Sequence, residues 1–308
     1  MNALWGLGDL TDQSGKRFVV TGATGGLGKA TATALARAGA AVVLVGRNEI
    51  KLAEVTRQIE QTVPHPDLTR VVIDLASLGS VRDGAARLAQ FGPIDVLINN
   101  AGVMGTAYSR TKDGLELQLA TNHFAPFLLT GLLLPQLAAS GAGRAIAVAS
   151  NAHWMARHAP LADPRAERPY RKWRVYAETK LANLLFTYEL DRRATAAGLP
   201  VQAMAAHPGY SATALVSYGR FGRASGGAAS ILDAVVKATG QPAADGALPL
   251  LMAATADLPG TTYCGPNGRA EMRGSRARVV TSSGLSHDRG AQRQLWELSE
   301  ETVGLRYP

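Results

Sequence analysis

The residues of this sequence best suited to moving a proton are Tyr176 and Lys180, which stand four positions apart. In a helix this spacing places both side chains on one face, so the Lys180 ammonium would lie near the Tyr176 phenol. A free tyrosine has a pKa near ~10, and half-ionisation at neutral pH requires a drop of about 3 units, or roughly 4 kcal/mol. An ammonium group in a shielded site gives an effect of that order. The same spacing also occurs by chance on solvated helix surfaces, so the other elements must decide between these interpretations.

A glycine-rich turn between a strand pattern and a helix pattern is the second chemical feature. The apolar run Arg17–Thr21 is typical of a buried strand, and the alanine-rich residues 29–38 are typical of a helix. Glycines between them permit positive φ angles and the close approach of a diphosphate, which the free N–H groups of a helix N-terminus can bind. Because both flanking elements are present, the pattern predicts a dinucleotide site. Its predicted cofactor-binding residues are Gly22, Thr24, Gly26, Leu27 and Gly28.

The residues after the second predicted strand, residues 41–45, bear on which dinucleotide binds. Gly46 and Asn48 supply no carboxylate for a free ribose hydroxyl, whereas Arg47 can pair with a 2′-phosphate. The sequence therefore predicts NADP(H), preferred over NAD(H). The alternative is that Arg47 is an exposed arginine at the end of a strand.

Polar residues also follow other predicted strands. Asp74, followed by Leu75, ends a strand and could accept a hydrogen bond from an adenine amine, although a helix cap is almost as natural. The NNAG run at residues 99–102 suits a tight strand exit. Ser150 follows the predicted strand at residues 145–149. Ligands of parallel sheets bind at these carboxyl ends, which makes all of these residues candidates for one site.

Asn122 is a polar residue within an apolar helix pattern that begins near residue 113. A buried amide without partners costs about 1 to 3 kcal/mol. Asn122 is therefore a candidate for holding a backbone kink or a water molecule.

Length and element order predict the fold class. The chain has 308 residues, of which 46% are hydrophobic, enough to bury a large core. Alternating strands and helices predict an α/β fold: a single doubly wound Rossmann domain over residues 1–308, with a parallel sheet of about seven strands and helices on both faces. Within it we expect an insertion or lid at 151–175, a mobile substrate loop at 210–227 and a C-terminal tail at 268–308 that contains one helix.

Composition bears on partners and compartment. The formal net charge of +8 is scattered, and no nucleic-acid-binding signature accompanies it, so we expect no nucleic-acid partner. The six histidines lack metal-ligand spacing, and the single cysteine, Cys264, fits a reducing compartment. Residues 1–11 support neither a signal peptide nor an anchor, and the apolar run at 124–139 is shorter than the ~20 residues of a membrane span. We therefore expect a cytoplasmic protein without a membrane span.

Five motifs in a fixed order carry a family resemblance. They are TGxxxGxG at 21–28, NNAG at 99–102, Asn122, Ser150 and YxxxK at 176–180. With them the chain resembles the short-chain dehydrogenase/reductase family over nearly its whole length. Residues 121–130, 176–190 and 207–209 are most similar to its retinol-dehydrogenase-like and WW-domain-oxidoreductase-like branch.

The resemblance implies an NADP(H)-dependent carbonyl reductase or alcohol dehydrogenase that transfers a hydride between nicotinamide and a small-molecule carbonyl or alcohol. Tyr176 would be the proton donor or acceptor, and Ser150 would orient and polarise the carbonyl. Lys180 would lower the pKa of the phenol and hold the nicotinamide ribose, while Asn122 would position a relay water. The family pattern adds as cofactor contacts Asn100, Ala101, Gly102, Pro208, Gly209 and Thr213.

Other interpretations stay open at this level. A non-catalytic NADP(H)-binding sensor or scaffold could share the fold, although such proteins commonly lose the tyrosine or the lysine, and this chain has both. Ser150 and Tyr176 are 26 positions apart, about twice the separation in compact family members, so the intervening insertion could block the dimer contact that family members often use. Both a monomer and a homodimer remain possible. An apolar substrate is suggested, with loop packing as the alternative, by Trp154, Met155, Tyr210, Tyr218 and Phe221.

Overall fold

An eight-stranded, mostly parallel sheet forms the centre of the fold. The computed structural model describes residues 4–158, 163, 165–166, 169–210 and 241–308. Its strands are β1 (Arg17–Thr21), β2 (Ala41–Gly46), β3 (Leu68–Val72), β4 (Val96–Asn99), β5 (Gly143–Val148), β6 (Val201–Ala206), β7 (Tyr263–Pro266) and β8 (Ala277–Val279). They lie in the order β3-β2-β1-β4-β5-β6-β7-β8, and all pairings are parallel except that of β7 with β8.

Helices cover both faces of this sheet. They are α1 (Gly26–Arg37), α2 (Glu49–Glu60), α3 (Leu78–Ala89), α4 (Leu117–Ala139), α5 (Lys172–Ala196), α6 (Ala243–Thr255) and α7 (Arg289–Val303). One core contains Leu35 of α1, Leu52 of α2 and Leu250 of α6. The opposite core contains Leu88 of α3 and Phe186 of α5. Two apolar layers on one parallel sheet confirm the expected doubly wound α/β fold.

The seven strands expected from the sequence are all present, at bounds that differ by no more than two residues. The eighth strand, β8, was not expected. Its three residues pair with β7, the strand before it, and Ala277 also pairs with the distant Trp5. Three residues are too few to show the alternation that indicates a strand, and the pairing with Trp5 depends on the folded chain.

The C-terminal segment contributes more to the core than the expected tail with one helix. Trp296 and Val303 of α7 are buried in the same core as Phe186. Val303 O also accepts a hydrogen bond from Arg82 of α3. The segment is therefore an integral part of one face of the fold.

Helix α4 is longer than its apolar run suggested. At 23 residues it is long and apolar enough to cross a membrane by length and composition, but 89% of its most apolar 18-residue window is buried inside the fold. This burial agrees with the expected buried helix, and a core helix of this kind passes the same length test.

Candidate active site

The strand order reverses at β1, which lies between β2 and β4. Chain connections leave β1 and β4 in opposite directions, which opens a crevice at the carboxyl ends of the strands. Hydrogen bonds tie the two strand exits together there. Asn100 donates through Nδ2 to Thr21 O at 2.7 Å, and Thr21 Oγ1 accepts from the backbone N–H groups of Asn100 and Ala101, each at 3.0 Å. The structure thus brings the glycine turn and the NNAG motif together.

Close packing explains two of the glycines in this turn. Gly22 has a φ of +68°, and a Cβ there would lie 2.9 Å from Ala101 Cα. A Cβ at Gly28 would lie 2.3 Å from Gly22 O. Helix α1 begins at Gly26, and its N-cap residue Gly25 has no side chain that could cap it. The N–H groups of the first turn are therefore not bonded to a capping side chain. A backbone that admits no side chain, next to an uncapped helix N-terminus, fits a diphosphate.

The predicted adenosine contacts lie along the same edge of the sheet. Arg47 directly follows β2, is exposed, and forms no ion pair with any described residue. Asp74 lies after β3, and its Oδ1 accepts from Ala76 N at 3.0 Å in the turn before α3. The N-cap of α3 is Ser77, so Asp74 does not have the helix-capping role that was the alternative to an adenine contact. Leu75 beside it is buried. These positions are compatible with a bound adenosine, and Arg47 is the cation available to a 2′-phosphate.

Asn122 lies in a π-helical turn of α4, Ala120–Phe124, where the backbone widens. Its Oδ1 accepts from Val103 N at 2.8 Å, and its Nδ2 donates to Val103 O at 2.9 Å and to Thr179 Oγ1 at 3.1 Å. The amide is 1% exposed and fully partnered. The amide thus ties the π-turn to Val103 and to Thr179 of α5, and π-turns are frequent at functional sites.

Ser150 and Tyr176 meet across the crevice. Ser150 follows β5 and caps a short 3₁₀ turn, where its Oγ accepts from Ala152 N at 3.1 Å. Its side chain also lies beside the phenol of Tyr176 on α5, where it favours the ionised form of that phenol. Tyr176 itself is 6% exposed. Two groups separated by 26 positions in the chain are therefore neighbours in the fold.

Lys180 lies one turn beyond Tyr176 on the same face of α5. Its Nζ is 5.7 Å from the centre of the Tyr176 ring and donates to Val148 O at 2.8 Å. A Cβ at Gly102 would lie 3.0 Å from Asn122 Oδ1 and 3.8 Å from this Nζ, so the glycine of the NNAG motif is in the same cluster. The helix thus presents the phenol and the ammonium group to one space, as the spacing suggested.

Burial dominates the electrostatics of the pair, an effect that the expectation of a phenol pKa lowered by Lys180 did not include. It raises the pKa of Tyr176 to about 12, and the nearby Ser150 hydroxyl opposes this only in part. Burial also lowers the pKa of Lys180 to about 8. In the protein alone, the loss of water around the phenol is the largest effect on its pKa. Tyr176 is therefore a protonated phenol at neutral pH, poised to donate.

Comparison with known proteins gives a family. A family model described as short chain dehydrogenase matches residues 16–220, about two thirds of the chain. The chain belongs to the short chain dehydrogenase family. Human retinol dehydrogenase 13 is 41% identical over 203 residues, which cover 65% of this chain and 60% of that protein. Mouse polyprenol dehydrogenase is 40% identical over 211 residues, covering 67% of this chain and 63% of that protein.

These relatives place this short chain dehydrogenase in the retinol-dehydrogenase-like branch. The matches span about 60% of the length of these curated relatives. A crystal structure of an uncharacterised protein from Mycobacterium Paratuberculosis covers 99% of the chain and all of its own, with a TM-score of 0.80 and 38% identity. A structure from Beutenbergia cavernae, described as an NAD(P) dependent gluconate 5-dehydrogenase with NADP bound at low occupancy, has a TM-score of 0.62 and 28% identity. The match covers 79% of this chain and 91% of that one.

The remaining predicted residues of the dehydrogenase lie after β6. Gly209 has a φ of +66°, and a Cβ there would lie 2.6 Å from Met272 O, so the turn requires glycine. Pro208 O accepts from Gln241 Nε2. Thr213 and most of the expected mobile loop at 210–227, with Tyr218 and Phe221, lie outside the described residues. Of the predicted aromatic and apolar wall, Trp154, Met155 and Tyr210 are exposed.

Two buried histidines beside the site were not predicted to have a role. His153 accepts through Nε2 from Ser283 N at 3.1 Å, so its Nδ1–H donates to Ser150 O at 2.7 Å. His207 accepts through Nδ1 from Gly209 N at 3.2 Å, and its Nε2–H donates to Glu271 at 3.1 Å. Each histidine fixes the backbone at one end of a strand. Nothing in their spacing indicates this, because one partner of each ring, Ser283 or Glu271, comes from a distant segment.

Thr179 is a further residue that the sequence analysis missed. It accepts from Asn122 and donates through Oγ1 to Tyr176 O at 2.7 Å. Its position three residues after Tyr176 was a usable signal, because residues three and four apart on α5 share a face.

Cys264 is buried, and burial raises the pKa of its thiol to about 12, so it is no nucleophile at neutral pH. Within the described ranges, no three His, Cys, Asp or Glu side chains are grouped to hold a metal ion.

Proposed function

We propose that this short chain dehydrogenase is an NADP(H)-dependent oxidoreductase that interconverts a carbonyl and an alcohol of an apolar small molecule, with Tyr176 as general acid and base. The observation that carries this proposal is the placement of the buried Tyr176 phenol beside Ser150, with Lys180 Nζ 5.7 Å from the centre of its ring. A phenol held in this way can donate to the oxygen of a carbonyl that Ser150 also contacts.

Each side chain has a distinct part in this chemistry. The bound nicotinamide would supply or accept the hydride. Ser150 would hold the carbonyl oxygen beside the phenol, and Tyr176 would give that oxygen its proton as charge develops on it. Lys180 would stabilise the phenolate left behind through its charge rather than by a direct bond.

The dinucleotide would lie across the carboxyl edge of the sheet. The turn at Gly22 and Gly28 would hold the diphosphate, and Lys180 would contact the nicotinamide ribose. Arg47 has no competing ion pair among the described residues and is the proposed ligand of a 2′-phosphate. The NADP bound in the related Beutenbergia cavernae structure supports this choice of cofactor.

Two relatives are named for retinol and polyprenol, both apolar alcohols. Together with exposed Trp154 and Met155 near Ser150, these names support an apolar substrate.

A panel of aldehydes, ketones and quinones, with NADPH consumption as the readout, tests the proposal. We expect turnover of at least one apolar carbonyl, and a higher kcat/KM with NADPH than with NADH. Binding of NADPH, observed by fluorescence, without oxidation on any member of the panel would instead favour a dinucleotide-binding sensor or scaffold.

A further inference from the structure

The C-terminal helix α7 touches both helices that carry the catalytic residues. Leu295 of α7 packs with Ala177 and Leu181 of α5, the residues that directly follow Tyr176 and Lys180. On α4, Ser299 of the same helix contacts the π-turn. One helix therefore supports the backs of both active-site helices.

The contact with α4 is a hydrogen bond of defined direction. His123, the residue after Asn122, is 1% exposed, and its Nε2 lies 2.8 Å from Ser299 Oγ. Ser299 Oγ donates its own proton to Leu295 O at 2.7 Å, so it accepts from His123 Nε2–H. Burial lowers the pKa of His123 to about 3, and the ring is therefore neutral throughout the range of an enzyme assay.

Neighbouring residues of the π-turn thus face opposite partners. Asn122 is bonded to Val103 and Thr179 on the active-site side, and His123 is bonded to Ser299 on the other. A π-turn leaves the regular hydrogen-bonding pattern of an α-helix, so its geometry depends on such side-chain contacts. A shift of His123 would move Asn122 through the backbone they share.

Aromatic packing fixes α7 in this position. The centre of the Trp296 ring lies 5.0 Å from the ring centre of Phe127 on α4 and 5.9 Å from that of Phe186 on α5. The guanidinium of Arg193 on α5 lies 4.7 Å from the Trp296 ring. After the helix, Tyr307 donates through its hydroxyl to Phe127 O at 2.9 Å. The contact with His123 is therefore held on a rigid element.

We propose that α7 is a built-in support of the active site, in which His123 and Ser299 form a positioning pair that holds Asn122 in place for turnover. Neither residue touches the substrate or the cofactor; both act through the π-turn. The effect on rate rests on the proposed function, whereas the effect on the geometry of Asn122 does not.

Replacement of the hydrogen-bond acceptor tests this pair. Ser299→Ala leaves His123 Nε2–H without its partner. A misplacement of about 1 Å can cost about 10²-fold in rate, and we expect a smaller shift of Asn122 to lower kcat about tenfold. The dissociation constant of NADPH should change less than about twofold, because the diphosphate turn is remote from α7. Ser299→Thr keeps the hydroxyl and should retain wild-type kcat, as should Gln294→Ala on the exposed face of α7.

A second variant and a second readout make the test decisive. His123→Phe keeps an aromatic ring in the cluster but removes the donor, and the double variant should lose no more rate than either single one. Hydrogen exchange of Val103 N–H, which donates to Asn122, should be faster in both single variants. This readout needs no turnover and stands even if the panel of carbonyls reveals no activity. The proposal would be overturned if folded Ser299→Ala and His123→Phe both kept the wild-type kcat. For a protein without measurable activity, wild-type hydrogen exchange at Val103 in both variants would overturn it. A lower melting temperature of the variants would not change either conclusion.

Discussion

The Nζ atom of Lys180 lies 5.7 Å from the centre of the Tyr176 ring, and its hydrogen bond goes to Val148 O. The ammonium group therefore acts on the phenol through space. At this distance its effect depends on how much water lies between them, and both side chains are almost fully buried. The same burial penalises the ammonium and the phenolate forms, which sets the ionisation of the pair.

The rate of carbonyl reduction should depend on the charge of Lys180. Its pKa of about 8 means that the ammonium form is present below pH 8 and lost above it, while Tyr176, with a pKa of about 12, keeps its proton throughout. We expect kcat/KM for reduction, which reports the groups of the free enzyme, to be level below about pH 8 and to fall towards about tenfold per pH unit above it. Lys180→Arg removes the titration and serves as the control. A kcat/KM that rises or stays level through this range would contradict the assignment.

Replacing Lys180 by methionine should stabilise the fold while it abolishes turnover. The shift of the Lys180 pKa from 10.5 to about 8 means that burying the charge lowers the free energy of unfolding by about 3 kcal/mol. The methionine variant avoids this penalty but loses the hydrogen bond to Val148, which costs it about 1 kcal/mol. Because the folded-state pKa is below the unfolded one, wild type carries the full penalty below pH 8 and none above about pH 10.5. Urea unfolding should thus show a gain of about 2 kcal/mol for Lys180→Met at pH 7, narrowing towards alkaline pH. A destabilised variant at pH 7 would contradict the burial argument.

Thr179 should matter through its link between Asn122 and Tyr176 O. Thr179→Val keeps the shape but leaves an Asn122 N–H without a partner, at a cost of about 1 to 3 kcal/mol. We expect this loss in urea unfolding, together with a lower kcat. Thr187→Val is a matched control, since Thr187 is equally buried on the same helix but bonds only to Asn183 O. Equal effects of the two substitutions would show that Thr179 has no special link to the site.

The choice of cofactor should depend on Arg47. A charge-assisted hydrogen bond contributes about 1.5 to 3 kcal/mol, so Arg47→Ala should raise KM for NADPH about tenfold or more and leave KM for NADH nearly unchanged. Arg37→Ala at the far end of α1 removes the same charge as a control. An unchanged ratio of NADPH to NADH efficiency in Arg47→Ala would remove the basis for the NADP preference.

Local patterns of the sequence were sufficient to predict the seven parallel strands and the glycine turn. That Ser150 and Tyr176 belong to one site was implied by the family resemblance, and both lie at the edge of the sheet where strand ends and a helix face converge. The sequence did not indicate structural features that depend on the packing of distant segments. Neither β8 nor the His123 contact with Ser299 has a local pattern, since each depends on where the C-terminal segment packs.

Burial of the Tyr176 phenol is the property of the site that its spacing could not reveal. Spacing shows that a lysine is near the phenol, but burial depends on every element packed around α5. In this fold desolvation is the largest effect on the pKa of the phenol, and it raises that pKa. The same reasoning explains Asn122, whose predicted role in a kink followed from its polarity alone, whereas its partners Val103 and Thr179 did not.

The most direct test of the account is the Tyr176→Phe variant, in which only the phenolic hydroxyl is lost. NADPH binding should stay within about twofold of wild type, while single-turnover reduction of the best carbonyl on the panel should fall by about 10³-fold or more. A variant that binds NADPH and reduces the carbonyl at the wild-type rate would contradict the role of Tyr176 as the proton donor.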